Sequence, residues 1–323
     1  MIDEQGRSIN YLRLSVTDNC NLRCVYCMPE NKCCKNLNEN IISDEEILRL
    51  VAILSKLGIE KVRITGGEPF VRQGIIPLIS KIKSIENIKE IYATTNGINL
   101  NNKIDELKAA GLDGLNISLD TLNEERYRFI TRGGSLSKVI TTIDKAVAIG
   151  LKVKINSVII HDINEEDMWK LIELAKDRPI DVRFIELMPI GEAKSYKGFA
   201  NDDIKNLIEE KFYVTKSEES KEILGPASYI KLEGFSGKIG FISPLSHCFC
   251  EKCNRIRVTS DGFLKKCLNF KDGIDLKELL RNEKSDEKIL AVIKDAIYTK
   301  PVKHSFLENK SNEDSRYMNQ IGG

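Results

Sequence analysis

Tyr11-Leu12-Arg13-Leu14-Ser15-Val16-Thr17-Asp18-Asn19-Cys20-Asn21-Leu22-Arg23-Cys24-Val25-Tyr26-Cys27 alternates in polarity like a strand over residues 12–16, then opens into a loop with three cysteines. Three thiolates in a C-x3-C-x2-C frame can grip one metal centre and are one short of a tetrahedral set. A four-iron cluster held by three cysteines keeps one iron open to another ligand. Spacing alone leaves zinc open as well, with Cys33 or Cys34 as a fourth ligand.

Outward from this stretch, strands and helices alternate. Residues 43–46 (Ser-Asp-Glu-Glu) form a capping box. Ile47, Leu50, Val51 and Leu54 then recur at helical spacing until Gly58. Strands are expected at 61–65, 90–94, 114–118, 152–158 and 181–185, with helices near 75–84, 103–110, 124–129, 136–149 and 165–176. Six βα units in succession argue for a parallel sheet with right-handed crossovers. Six instead of eight points to an α/β fold with an incomplete (β/α)6 barrel of the TIM type. Arg63 in Val-Arg-Ile and Arg183 in Val-Arg-Phe are charged residues within strands that a parallel sheet buries on both faces, which suggests a polar barrel interior.

Past residue 195 the pattern changes. A helix is expected at 202–210 and a hairpin at 228–233 and 238–243. We divide the chain into a barrel core, 1–195, and a C-terminal α+β extension, 196–323, with the boundary between 195 and 225. The polar stretch 308–323 reads as an unpacked tail.

The extension carries a second cysteine group, His247-Cys248-Phe249-Cys250-Glu251-Lys252-Cys253-Asn254-Arg255-Ile256-Arg257, with Cys267 further on. A closed four-thiolate zinc ribbon is one reading of it. Arg255 and Arg257 alternate along an expected strand and so face one side. His161, His247 and His304 are the three histidines; none makes an i,i+3 or i,i+4 metal pair, and each is expected to be structural.

The 323 residues are enough for a large core. A formal net charge of +1 with interspersed signs gives no case for nucleic-acid or membrane binding. No apolar stretch is long enough for a bilayer, and no signal-peptide pattern is present. A cytoplasmic setting is therefore expected, in which the nine cysteines bind metal or stay free.

The cysteine loop, together with Gly66-Gly67-Glu68-Pro69 at the end of the next strand, resembles the radical S-adenosylmethionine superfamily. Cys250, Cys253 and Cys267 in a C-x2-C-N-R-x-R…C frame, with the terminal Ile321-Gly322-Gly323, resemble the GTP 3′,8-cyclase family within it. The resemblance implies two [4Fe-4S] clusters, on Cys20, Cys24 and Cys27 and on Cys250, Cys253 and Cys267, and S-adenosylmethionine. It places Tyr26, Gly67, Ser118 and the Met188 backbone against S-adenosylmethionine, and Glu68 could accept hydrogen bonds from its ammonium. It implies GTP as substrate, bound by Arg13, Arg63, Thr94, Lys154, Arg255 and Arg257, with Arg13, Arg255, Arg257, Gly322 and Gly323 acting in catalysis. It further implies an external reductant, a homodimer, and a cyclic pyranopterin monophosphate synthase as functional partner in molybdenum cofactor biosynthesis.

Cys33, Cys34 and Cys248 depart from that pattern; we read the first two as exposed loop thiols and Cys248 as free. A peptide-modifying maturase with an auxiliary cluster is a rival reading, but it leaves Arg255, Arg257 and the terminal glycines without purpose. A zinc-binding interaction protein is another, and it would need no parallel barrel.

Overall fold

The computed structural model describes residues 1–31, 41–218, 225–306, 308 and 314–322; Cys33, Cys34 and Gly323 lie outside them. The first half runs β1 (Tyr11–Ser15), α1 (Asp44–Lys56), β2 (Lys61–Thr65), α2 (Ile75–Lys83), β3 (Glu90–Thr95), α3 (Ile104–Ala109) and β4 (Gly114–Ser118). It continues through α4 (Glu124–Thr131), α5 (Leu136–Ala148), β5 (Lys152–Ser157), α6 (Met168–Asp177) and β6 (Ile180–Ile185). These six strands lie side by side in chain order, each parallel to the next.

Helix α1 starts where the sequence says it must. Ser43 Oγ accepts from Glu46 N–H at 3.2 Å, and Glu46 Oε2 accepts from Ser43 N–H at 2.8 Å. Its buried face, Ile47, Leu50, Val51 and Leu54, packs into the layer between sheet and helices. On the sheet, Leu12, Leu14, Val62, Ile64, Leu115 and Ile117 are fully buried. Each such side chain is worth about 1.5–3 kcal/mol of transfer free energy. The residues alternating with them, Arg13, Arg63, Asn116, Lys154 and Arg183, point into the bore and line a cavity there.

The second half contributes α7 (Asn201–Lys211), β7 (Val214–Glu218), β8 (Ala227–Leu232), β9 (Ile239–Ile242), β10 (Arg255–Val258), β11 (Phe263–Lys265), β12 (Gly273–Asp275), α8 (Leu276–Asn282) and α9 (Asp286–Tyr298). The sheet order is β12-β11-β10-β1-β2-β3-β4-β5-β6-β9-β8-β7. Strand β10 adds parallel to β1, and β9 adds parallel to β6. The open barrel of six strands is thus extended by a parallel strand at each edge, both from the C-terminal region. The expected hairpin is present as antiparallel β8 and β9. Its attachment to β6 pairs segments that are far apart in sequence, which local periodicity does not report.

The expectation of an unpacked tail fails. Ile321 and Asn319 are buried, and Asn319 Nδ2 donates to Asp18 O at 2.9 Å. Tyr317 packs its ring against Gly191. Within the described part of the tail, 314–322, Asn319 is polar because its amide bonds to the barrel and not because it faces water.

Candidate active site

The two cysteine groups and the arginines line one cavity of about 1540 Å³. The first group enters it from the carboxyl end of β1, where sites in such sheets lie. Three backbone bonds zip the approach to the cysteine loop onto the Gly66-Gly67 segment: Val16 N–H to Thr65 O at 2.9 Å, Gly67 N–H to Thr17 O at 2.7 Å and Glu68 N–H to Asn19 O at 2.7 Å. A Cβ on Gly67 would sit 2.2 Å from Asn19 O. The close approach this glycine permits is to the cysteine loop's own backbone, in addition to the cavity it lines.

Glu68 is buried, and its carboxylate takes three protein donors. Oε1 accepts from Phe70 N–H at 3.2 Å and Thr95 O–H at 2.8 Å, and Oε2 accepts from Asn96 N–H at 2.7 Å. Burial pushes its pKa up to about 7 against the pull of these three bonds. Asn96 in turn bonds to Asn21 Oδ1 at 2.8 Å and approaches Cys20 Sγ at 3.9 Å. Glu68 therefore ties β3 to the cysteine loop. Tyr26 donates to Asp120 Oδ2 at 2.6 Å, and Asp120 Oδ1 accepts from Val158 N–H at 2.8 Å. Burial raises Asp120 to about 6 despite both bonds.

The thiols suit a polynuclear centre. Burial pushes Cys20 up to about 12 and Cys24 well above the ordinary range, with the neighbouring thiols adding to both. A cationic centre reverses that penalty. Three thiolates on one loop would each take a separate iron of a four-iron cluster. Ser118 and Met188 line the same end of the cavity, and the Met188 carbonyl accepts from Ile190 N–H at 2.8 Å.

Deeper in the bore the strands set a belt of guanidiniums. Arg13 is register partner to Arg257 on one side and to Arg63 on the other. Arg63 lies 5.4 Å from the Tyr11 ring centre and 5.9 Å from that of Tyr92. Burial and then the neighbouring Arg255 bring Arg257 down to about 10; Arg13 and Arg63 are likewise lowered, burial being the first cause. Buried Arg13 Nε, Arg63 Nε, Arg183 Nε, Thr94 Oγ1 and Asn116 Nδ2 all lack a hydrogen-bond partner. Unpaired buried donors around a cavity are costly unless a ligand satisfies them. Lys154 is already engaged, 3.3 Å from Asp181 Oδ2 and 3.3 Å from Tyr229 Oη.

The second cysteine group sits on a turn, Cys250–Lys252, that leads into β10. Glu186, at the end of β6, anchors the preceding loop through Leu245 N–H at 2.8 Å and Ser246 N–H at 3.1 Å. Burial opposes ionisation of Cys253, but Arg255 and Lys300 outweigh it and bring the thiol down to about 6. Arg255 Nη2 is 3.8 Å from that sulfur, and its guanidinium lies 4.8 Å from the Phe249 ring centre. Cys250, Cys253 and Cys267 all line the cavity, with Arg255 and Arg257. Gly322 reaches the same belt: its carbonyl oxygen accepts from Arg13 Nη2 at 3.3 Å and Arg257 Nη1 at 3.1 Å.

Sequence reasoning missed Asp120, Asn96, Lys300 and Asn116. For Asp120 a signal exists, since it follows the carboxyl end of a strand. Asn96 gives the same signal just past β3, and Asn116 alternates with Leu115 and Ile117 along β4, whereas Lys300 owes its place to packing that no local spacing encodes.

Residues 14–175 match the Radical SAM superfamily, and residues 180–306 match the family Molybdenum Cofactor Synthesis C. The chain is 51% identical over 323 residues to the GTP 3′,8-cyclase of Clostridium perfringens (strain 13 / Type A), covering 100% of both chains. It is 47% identical over 331 residues to the GTP 3′,8-cyclase of Alkaliphilus oremlandii (strain OhILAs), again covering 100% of both. Its fold is similar to that of Streptococcus suis SuiB bound to S-adenosylmethionine, with a TM-score of 0.65 at 15% identity over 90% of this chain and 67% of that one. The chain belongs to the GTP 3′,8-cyclase family of the radical SAM superfamily.

Proposed function

We propose that the protein converts GTP to (8S)-3′,8-cyclo-7,8-dihydroguanosine 5′-triphosphate, the first step of molybdenum cofactor biosynthesis. The observation that carries this reading is the belt of buried, unpaired donors, Arg13, Arg63 and Thr94 among them, between two cysteine groups in one cavity. A triphosphate carries about four negative charges, and fixed guanidiniums grip phosphate oxygens bidentately.

Membership of the superfamily brings a [4Fe-4S] cluster and S-adenosylmethionine, which when bound supply a 5′-deoxyadenosyl radical that removes hydrogen from C3′ of GTP. Cys20, Cys24 and Cys27 hold that cluster. Tyr26, Gly67, Ser118 and the Met188 backbone bind S-adenosylmethionine, with Glu68 and Asp120 fixing the loops that carry them. Cys250, Cys253 and Cys267 hold a second [4Fe-4S] cluster, and Arg255 keeps Cys253 ionised for it. Arg13, Arg63, Thr94, Lys154, Arg255 and Arg257 bind GTP. Gly322, bonded to Arg13 and Arg257, shields the arginines and keeps water from the substrate during C3′–C8 bond formation, and Gly323 acts with it in catalysis. One electron would be consumed by the bound cofactor, and a second, with a proton, would complete the product, which would then be an isomer of GTP. An external reductant supplies both. A cyclic pyranopterin monophosphate synthase consumes the product, and the enzyme works as a cytoplasmic homodimer. No helix among the described residues is long and apolar enough to cross a membrane.

The test is anaerobic turnover of GTP deuterated at C3′. Deuterium in the 5′-deoxyadenosine supports the reading. Unlabelled 5′-deoxyadenosine overturns it, because the hydrogen then comes from elsewhere.

A further inference from the structure

A third donor group stands beside the second cysteine set. The sulfurs of Cys248 and Cys250 and a ring nitrogen of His304 all lie within 4.8 Å of one another. Cys248 is exposed, and the other two are half-buried. Among the described residues this is the group of three metal-ligating side chains drawn so close. His304, expected to be structural, comes from a segment more than fifty residues downstream, so no sequence spacing could show it.

The scaffold holds the two segments together without a metal. Buried Arg7, paired to Asp3 at 2.6 Å, donates to Cys250 O at 3.1 Å, Val302 O at 3.2 Å and Lys300 O at 2.9 Å. His304 Nε2–H donates to Pro244 O at 2.7 Å, which leaves the ring's lone pair on Nδ1. A backbone carbonyl that fixes the tautomer of a histidine is the usual support of a ligating imidazole. The other contact to Nδ1, from Phe306 N–H, is long at 3.4 Å.

We propose that Cys248, Cys250 and His304 bind one zinc ion, in competition with an iron–sulfur cluster for Cys250. Two thiolates and an imidazole are a borderline-soft donor set that suits tetrahedral zinc with water as fourth ligand. Bonds of 2.3 Å to sulfur and 2.0–2.1 Å to nitrogen need donors about 3.7 Å apart, so from within 4.8 Å the set closes by at most about 1 Å, and exposed Cys248 is free to rotate toward the other two. Each thiol releases its proton on binding. Such a site prefers zinc to ferrous iron. In a cell short of iron, zinc would hold Cys250 and leave the second cluster unassembled. Zinc binding stands independently of the proposed cluster; the competition rests on that reading.

The test uses full-length protein purified anaerobically from iron-limited, zinc-supplemented cells, with zinc counted by mass spectrometry and its ligands read by X-ray absorption. The wild type should carry about one zinc per chain with two sulfur ligands and at least one imidazole nitrogen. Cys248→Ser, at an exposed position that tolerates the change, should lose zinc at least tenfold, roughly the loss expected when one ligand of three goes. His304→Gln should lose the imidazole signature, and Cys253→Ser should keep the zinc. Equal zinc in Cys248→Ser, an all-sulfur shell, or no zinc in the wild type overturns the site. Iron and sulfide in reconstituted, zinc-free Cys248→Ser report separately on the second cluster. If that variant takes up two clusters, the cluster reading stands whatever zinc does. If zinc binds as described but no form takes up a second cluster, the competition falls and the zinc site remains.

Discussion

Arg257 and Gly322, 65 residues apart in the chain, meet in a 3.1 Å hydrogen bond from the guanidinium to the glycine carbonyl oxygen. Arg13 donates to the same oxygen at 3.3 Å. Gly322 thus sets its carbonyl on two arginines that line the bore. Its carbonyl oxygen supplies an acceptor to a belt that is otherwise rich in unpaired donors.

Replacing Arg257 by Ala removes a charge-assisted donor to the tail and, on the proposed reading, to the substrate. Such bonds contribute about 1.5–3 kcal/mol, so kcat/KM for GTP should fall roughly 10- to 150-fold. Cleavage of S-adenosylmethionine should continue, uncoupled from cyclisation. Steady-state assays of 5′-deoxyadenosine and of nucleotide product, run side by side, check the split; normal cyclisation would remove Arg257 from the site.

Gly322 has φ of +74°, and a Cβ there would come within 3.1 Å of Ser15 Cβ. Left-handed backbone costs a residue with a side chain about 1–2 kcal/mol. Gly322→Ala should therefore displace the segment and slow cyclisation roughly tenfold or more, with iron content unchanged. A variant lacking residues 322–323 should lose cyclisation altogether. Wild-type turnover by the truncated protein would show that the segment merely packs.

Cys253 ionises near 6 because Arg255 and Lys300 outweigh its burial. Arg255→Ala removes the larger of these opposing influences, so the thiol should titrate at higher pH. The measurement is alkylation of Cys253 by iodoacetamide against pH in metal-free protein, read by peptide mass. The wild-type rate should reach half its plateau near pH 6, and the variant at least one unit higher.

Glu68 has its pKa raised from 4.5 to about 7, first by burial. A carboxyl raised on folding favours the native state while protonated, so its contribution is complete below about 4.5 and is lost as pH rises through about 7. Relative to Glu68→Gln, wild-type metal-free protein should lose up to about 3 kcal/mol of unfolding free energy across that window. Urea melts at pH 4.5, 6 and 8 measure it. Parallel pH dependence in the two proteins would mean that Glu68 titrates in the folded protein as it does in the unfolded chain.

The inner strands were legible because each is a short apolar run with a sharp boundary. Residues 61–65 and 114–118 coincide with β2 and β4, and the Ser43–Glu46 box fixes the start of α1. Arg63 and Arg183 within strands told of a polar interior, and both line the bore. What local pattern could not carry is pairing at a distance: β10 on β1, β9 on β6, Tyr26 on Asp120, His304 beside Cys248. The tail misled because polarity was taken for solvation, when Asn319 and Gly322 spend their polar groups on the barrel. Glu68 was read as a ligand acceptor, and most of its capacity goes to Phe70, Thr95 and Asn96.

The measurement that tests the central claim most directly is an anaerobic incubation of reconstituted protein with dithionite, S-adenosylmethionine and each nucleoside triphosphate in turn, analysed by mass spectrometry. The account predicts 5′-deoxyadenosine together with a new isomer of GTP at unchanged mass, and no such product from ATP, CTP or UTP. Abundant 5′-deoxyadenosine with GTP left intact, in protein shown to carry its iron and sulfide, would contradict it.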